Sequence, residues 1–281
     1  MRFDVEHMTT YSYSEPVTLG PQTVRLRPRH DGGFRELGYS LLVDPAPVLR
    51  QERLDAEGNL ATRMWFEAET RHLRIVSRFT VDTLESDPFG LVLDTAYRAL
   101  PAIYPADEGA ALARYRDGGS QEPSVRALAD DIAERSEGDP LAFLAVLNDR
   151  LHNGIEREIR EEGVPQAPAE TLARGRGACR DQTVLFVSLC RAAGFAARFV
   201  SGYQDRSAMV TAERHLHAWP EVYIPGCGWS GLDPTRGIAA GATHVAVAAA
   251  REPAGAMPVE GSYFGAASSR LSFEVRIKTG P

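Results

Sequence analysis

The sequence predicts an α+β protein: a strand-rich, β-sandwich-like first domain over residues 1–100 and a mixed second domain over residues 101–281. Three observations carry this. Up to about residue 85, short stretches of alternating apolar and polar residues are separated by turn signals, the pattern of a sandwich. Between residues 125 and 192, apolar residues recur at helical spacing. After residue 215 the alternation returns around a tight Pro-Gly turn.

In the first domain, Phe3, Val5 and His7 alternate with Arg2, Asp4 and Glu6, and Thr9 to Tyr13 is rich in strand formers. Thr23 to Arg27, Ser40 to Val43, Asn59 to Phe66 and Leu73 to Val81 continue the series, broken by Asp55-Ala56-Glu57-Gly58. No chemistry is visible there, since His7, His30 and His72 are scattered. Asp87-Pro88-Phe89-Gly90, Pro101, Pro105 and Gly118-Gly119 break the chain and put a domain boundary nearby. Val125 to Glu134 and Pro140 to Asn153 read as helices, the second from Leu141, Leu144, Ala145, Leu147, Asn148 and Leu151. The charged run Glu156 to Glu162 reads as a solvated face or loop, and Pro165 and Pro168 as a non-helical path to Thr171. His244 to Val247, Pro258 to Gly261 and Leu271 to Ile277 read as strands and turns that stay with the second domain.

Composition narrows the function. With 31 basic and 38 acidic side chains the net charge is −7, and no dense Lys/Arg block occurs, so neither nucleic acid nor an anionic membrane is an expected partner. Three cysteines without a Cys-x-x-Cys pair suggest neither a disulfide framework nor a cysteine-based zinc site, and fit a reducing compartment. Met1 to His7 has no apolar secretory character, and Gly237 to Ala250 is too short for a span and interrupted by His244. The expectation is a soluble, cytoplasmic protein without internal repeats.

The chemistry concentrates in Gly175-Arg176-Gly177-Ala178-Cys179-Arg180-Asp181. Val184, Leu185, Ser188, Leu189 and Ala192 share a helical face, and Gly194 stands where a helix stops. Cys179 therefore opens a helix, where unpaired N–H groups and the dipole favour the thiolate. A free cysteine is more often a small buried apolar group, so this stretch alone decides nothing. Downstream, His215 to Ile224 alternates as a strand, Pro225-Gly226-Cys227-Gly228 turns, and Trp229 to Leu232 returns to Asp233-Pro234-Thr235. Such a hairpin puts His217 beside Asp233, so that Cys179, His217 and Asp233 form nucleophile, base and orienter. His215, Trp219, Glu221 and Tyr223 share the strand face of His217. Trp219 would shape the cleft wall, with Gly177 and His215 as neighbours of the site. Pro220 predicts an edge strand or a bulge. Asp181 favours the helix dipole, Cys190 is structural, three turns along the same helix, and Cys227 lies in a turn. The rival reading is a metal site on His215 and His217 with Cys179 or Asp233 as third ligand, although the zinc spacings are absent.

These motifs resemble the core of the transglutaminase-like superfamily: Gly177-Ala178-Cys179-Arg180-Asp181, His217-Ala218-Trp219 and Asp233-Pro234-Thr235, in that order. Thr10-Tyr11-Ser12-Tyr13 and Leu26-Arg27-Pro28-Arg29 resemble the N-terminal domain that accompanies many bacterial members. The resemblance implies a papain-like transglutaminase core and a Cys179–His217–Asp233 triad. It also implies acyl transfer from a peptide, isopeptide or glutamine carboxamide through a thioester, more hydrolytic than cross-linking, on a peptide or protein substrate with no cofactor and no metal. Papain-type proteases themselves put the histidine about 130–150 residues after the cysteine, far later than here. A non-catalytic binding module on the same fold is the alternative. Asn148 is one candidate for a second oxyanion donor beside the Cys179 N–H.

Overall fold

The computed structural model describes residues 1–84, 99–119, 122–160, 163–205 and 215–280. Asp87-Pro88-Phe89-Gly90 and the end of the charged run, Glu161-Glu162, lie outside them.

The first sheet is built on one strand. β1 (Arg2–Val24) alternates as expected, Phe3, Val5, His7 and Thr9 inward, but continues for 23 residues where shorter strands were expected. Its first half lies between β5 (Glu69–Thr83) and β14 (Ser269–Gly280). Its second half lies between β4 (Leu60–Trp65) and β13 (Val259–Phe264). Register shifts between Ser12 and Val17 and between Leu19 and Gln22 interrupt the ladders of β1, as β-bulges do. β2 (Phe34–Asp44) and β3 (Leu49–Leu54) complete a seven-stranded antiparallel sheet. Tyr13, Val17, Leu19, Val24, Leu26, Met64, Leu73 and Ile75 form its core.

The last two strands therefore correct the sequence reading, which kept them with the second half of the chain. Twelve consecutive residues of β14 pair with β1 from Arg2 to Tyr13. Alternation shows that Val275 and Ile277 need a buried face, and says nothing about which strand covers their edge.

The second sheet is antiparallel in the order β11 (Ile238–Ala240), β10 (Gly228–Asp233), β9 (His217–Ile224), β8 (Ala197–Gln204), β12 (His244–Ala250). α2 (Pro123–Arg135), α3 (Pro140–Gly154) and α5 (Cys179–Ala192) pack on it through Val125, Ile132, Phe143, Leu147, Leu185, Phe186 and Leu189, against Val222, Ile224 and Leu232. Alternation along β12 sends Val245 and Val247 to the first sheet, where they meet Phe3, Val5, Phe79 and Val81. Ala248 and Ala250 go to the side of α5.

Two helices were not read from sequence. α1 (Ala106–Arg116) carries only a weak apolar pattern. α4 (Pro168–Arg174) replaces the expected non-helical path: Pro168 stands in its first turn, where a missing N–H costs nothing, and Gly175 ends it at φ 61°.

Pro220 also corrects an expectation. β9 is interior, and its ladder with β8 runs unbroken from Ala197↔Val222 to Gly202↔His217. The Tyr223 N–H points to the β8 side, at Ala196 O. By the two-residue period the Pro220 nitrogen faces β10, and the β9–β10 ladder ends one residue short of it, at Glu221↔Gly231. The missing donor therefore falls just beyond the last β9–β10 pair and interrupts no ladder bond.

Trp219 is seated over Gly202: a Cβ there would lie 2.5 Å from Trp219 Cη2 and 2.2 Å from Val245 O. Gly202→Ala should destabilise the fold by about 1–3 kcal/mol, the cost of overpacking, visible as a lower Tm in thermal denaturation. An unchanged Tm would show that β8 and β12 can separate there.

Candidate active site

Cys179 is delivered by a short tertiary device. β6 (Glu156–Arg157) pairs in parallel with β7 (Arg176–Gly177), so the end of α3 and the end of α4 are tied just before the cysteine. Gly177 is buried, and a Cβ on it would lie 3.0 Å from Asp181 Cβ and 3.1 Å from Thr171 Cγ2. A side chain there would press on both neighbours, so glycine suits this close approach. Ala178, the N-cap of α5, has no side-chain acceptor. Asp181 reaches back instead: its Oδ2 accepts the Ala178 N–H at 2.8 Å. Its Oδ1 accepts from the Gln166 N–H at 2.8 Å and from Arg160 at 2.5 Å. Asp181 thus acts at the dipole, as read, and also braces the turn that aims Cys179.

Cys179 is half-buried, its sulfur against the His217 ring and the Ala218 N–H. The Ala218 nitrogen shares the orientation of Pro220, toward the side where β10 has already ended, so its N–H is left for the sulfur. Burial alone would raise the thiol; the His217 imidazole, the Ala218 N–H and the charge of Arg157 outweigh it and lower Cys179 below its ordinary value. His217 is fully buried. Its Nε2–H donates to Asp233 Oδ2 at 2.9 Å, and Nδ1, the nitrogen left for the sulfur, has no hydrogen-bond partner that satisfies ordinary geometry. Burial opposes protonation of this ring, yet Asp233 and then Cys179 carry it up to about 9. Asp233 is held well below the usual carboxylate range, since the histidines outweigh its burial. Both shifts run in the direction that favours a thiolate beside an imidazolium.

Asp233 is shared, which the sequence did not reveal. His244 Nε2 also donates to Oδ2, at 3.1 Å, while Oδ1 accepts from the Thr235 N–H at 3.0 Å and from its hydroxyl at 2.6 Å. His244 is buried, and burial keeps its ring below the ordinary histidine value despite Asp233. It is neutral near pH 7, with Nδ1 accepting from the Thr243 hydroxyl at 3.0 Å. The signal for His244 was only a histidine opening an apolar strand, which alternation alone marks as packing.

The other residues named from sequence lie as follows. Trp219 is buried beneath the two histidines, stacked on His217 at 6.1 Å and edge-on to His244 at 5.0 Å. His215 turns away onto Phe273, ring centroids 5.6 Å apart. This corrects the metal reading: among the described residues the trio whose ligand atoms lie within 4.8 Å is His217, Asp233 and His244, without His215. In that trio both histidine nitrogens facing Asp233 carry protons in hydrogen bonds, so a cation would have to displace both. Asn148 is buried on α3. Its amide donates one hydrogen to Ile238 O of β11 at 3.5 Å. Cys190 is fully buried and its thiol pushed well up; Cys227, in the β9–β10 turn, is raised as well by burial.

An open cleft lies on the side of Thr235, the residue that donates to Asp233, and is lined by His152, Gly154, Arg157, Gly175 and Gln182 among others. Gln182 lies one helical turn beyond Cys179.

Comparison with known proteins gives the same two parts. Residues 126–234 match the family model of the transglutaminase-like superfamily, and residues 3–82 that of the bacterial transglutaminase-like N-terminal region. An uncharacterized protein of Mycobacterium tuberculosis is 28% identical over 275 residues, covering 92% of this chain and 87% of its own. The protein-glutamine gamma-glutamyltransferase of Pseudomonas aeruginosa is 30% identical over 129 residues, 42% of this chain and 19% of that one. Among solved structures, a candidate cysteine protease from Cytophaga hutchinsonii superimposes with a TM-score of 0.72 at 21% identity, over 100% of this chain and 92% of that one.

Proposed function

The chain belongs to the transglutaminase-like superfamily, and we propose that it is a cysteine-dependent acyl-transfer enzyme acting on a carboxamide or peptide bond. The observation that carries this reading is the buried His217–Asp233 hydrogen bond at 2.9 Å, which leaves the other ring nitrogen, Nδ1, without a partner, in a ring that lowers the Cys179 thiol. The thiolate attacks the carbonyl carbon and forms a tetrahedral oxyanion. The Cys179 N–H, one of the unpaired donors at the start of α5, is the natural partner for that oxygen. His217 Nδ1 gives its proton to the departing amine, leaving a thioester on Cys179. The neutral imidazole then takes a proton from the acceptor, which attacks the thioester and frees the thiolate. Asp233 fixes the tautomer that makes both transfers occur at Nδ1.

Hydrolysis is the outcome we favour. The flanking cleft is open, so water at high concentration competes with any amine. Incubation of a glutamine peptide with excess alkylamine checks this: acid product should dominate, and predominant amine incorporation would reverse the assignment.

The nucleophile is tested by alkylation. Iodoacetamide should label Cys179 faster than Cys227, and Cys190 least. An ordinary thiol of pKa about 8.5 loses reactivity about a hundredfold between pH 8 and pH 6. Cys179 should lose less than that over the interval, because its lowered pKa leaves more thiolate at the acid end. His217→Ala should restore the ordinary decline. A wild-type rate that follows the ordinary thiol curve would remove the ion pair from the reading.

A further inference from the structure

The cleft beside Cys179 has a chemistry that the proposed reaction does not use. Gln182 lines it while 1% exposed; its amide nitrogen lies 3.4 Å from Gly177 O, and its Oε1 has no hydrogen-bond partner. A buried carbonyl without a donor carries a desolvation cost that a ligand N–H would relieve. Arg157 lines the same cleft, forms no ion pair among the described residues, and is close enough for its charge to act on the Cys179 sulfur. β6 holds it there through the Arg157↔Gly177 pairing. We propose that this cleft is a substrate subsite for a carboxylate next to a main-chain amide, with Arg157 taking the carboxylate and Gln182 Oε1 accepting the amide N–H. The preferred substrate then carries an acidic residue, or a free chain terminus, beside the bond that is cleaved. This rests on the acyl-transfer reading above.

The test is a set of matched peptide substrates assayed for kcat/KM: glutamate against glutamine at the flanking position, and a free against an amidated C-terminus. Wild type should prefer one carboxylate at least about tenfold, as an Arg–carboxylate contact warrants. The glutamate arm identifies a side chain as its source, the terminus arm an α-carboxylate. In Arg157→Ala that preference ratio should collapse toward one; taking a ratio cancels the effect of Arg157 on the thiolate. N-methylation of the flanking amide should cost wild type more than Gln182→Leu. Equal rates for both members of each pair in wild type, or a ratio unchanged in Arg157→Ala, overturns the subsite. No turnover of any peptide by wild type would instead defeat the acyl-transfer reading.

A second inference stands on a different observation, the doubly held Asp233 Oδ2. The geometry points to His244 as a positioning residue for the triad. It stays neutral while donating Nε2–H to Asp233, its tautomer set by the Thr243 hydroxyl, with His217 and Arg236 as its other charged neighbours. It thereby fixes the carboxylate that fixes His217. His244→Leu should lower kcat about 10–100-fold, comparable to losing an outer hydrogen bond that orients a metal-bound histidine, with KM little changed. The alkaline limb of Cys179 alkylation should move to higher pH, because Asp233 with one donor fewer pulls harder on the imidazolium. His244→Gln, which can still donate, should recover both readouts in part. An unchanged kcat, or a loss of kcat with the limb in place and no recovery in His244→Gln, would reduce His244 to packing.

Discussion

Cys179→Ala should remove acyl transfer altogether while leaving the protein folded. Knocking out the nucleophile of a comparable triad costs on the order of 10^6 in kcat, and nothing else among the described residues offers a lowered thiol. Cys190 and Cys227 are both shifted upward. The substitution deletes one half-buried sulfur at the first position of α5, and the turn before it is held by Asp181, not by Cys179. Stability should therefore fall by no more than about 1 kcal/mol. Denaturant unfolding and intact-protein mass spectrometry with a peptide-amide substrate check both halves. A thioester adduct of normal mass in wild type, absent from the variant, is the expected pair of spectra. Residual turnover in a folded Cys179→Ala protein would mean that the reaction runs elsewhere.

Asp233→Asn should lower kcat by about 10^4 with the fold retained, the size of effect that follows from forcing the wrong imidazole tautomer. Among the described residues Asp233 accepts hydrogen bonds from Thr235 at Oδ1 and, at Oδ2, from the Nε2–H groups of His217 and His244. With Thr235 still donating to the carbonyl oxygen, an asparagine presents its NH2 to those two rings. His217 relieves the clash by moving its proton to Nδ1, where it faces the sulfur and can no longer receive one. The pH response should change with it. In wild type His217 is raised to about 9 from an ordinary 6.5, so its contribution to stability is complete below about 6.5 and is lost as pH rises through about 9. Asp233 has the opposite sign: held below its ordinary range, it contributes at neutral pH and is lost as pH falls through its depressed value. Without the carboxylate, burial dominates His217 and pulls it down. The variant should show no stability loss between pH 7 and 9, and its Cys179 alkylation should fall steeply toward acid. A variant that keeps the wild-type profile would show that Asp233 is not what charges the ring.

Much of this centre is legible in one dimension. A glycine pair before a cysteine, followed by a helical apolar face, marks Cys179 as the start of α5, since helix starts are local events. Alternation and the Pro225-Gly226 turn mark the β9–β10 hairpin, and a hairpin joins residues close in sequence, so the meeting of His217 and Asp233 was foreseeable. His244 was not. It reaches Asp233 from β12, at the far end of the sheet order from β10 and β11, and no periodicity specifies which strand lies beneath which ring.

The sequence by itself determined the strand-rich opening, the helix that begins at Cys179 and the meeting of His217 with Asp233, because each depends on contacts within a turn or a hairpin. Only the tertiary structure decided the rest. It took β13 and β14 back to β1, set Pro220 safely inside a sheet, turned His215 onto Phe273, and brought His244 under Asp233 and Arg157 into one cleft with Gln182. The physical reason is common to all five. Side-chain period fixes which face of an element is buried, but which edge or neighbour covers it is settled by long-range pairing and packing, and those leave no local pattern in the chain.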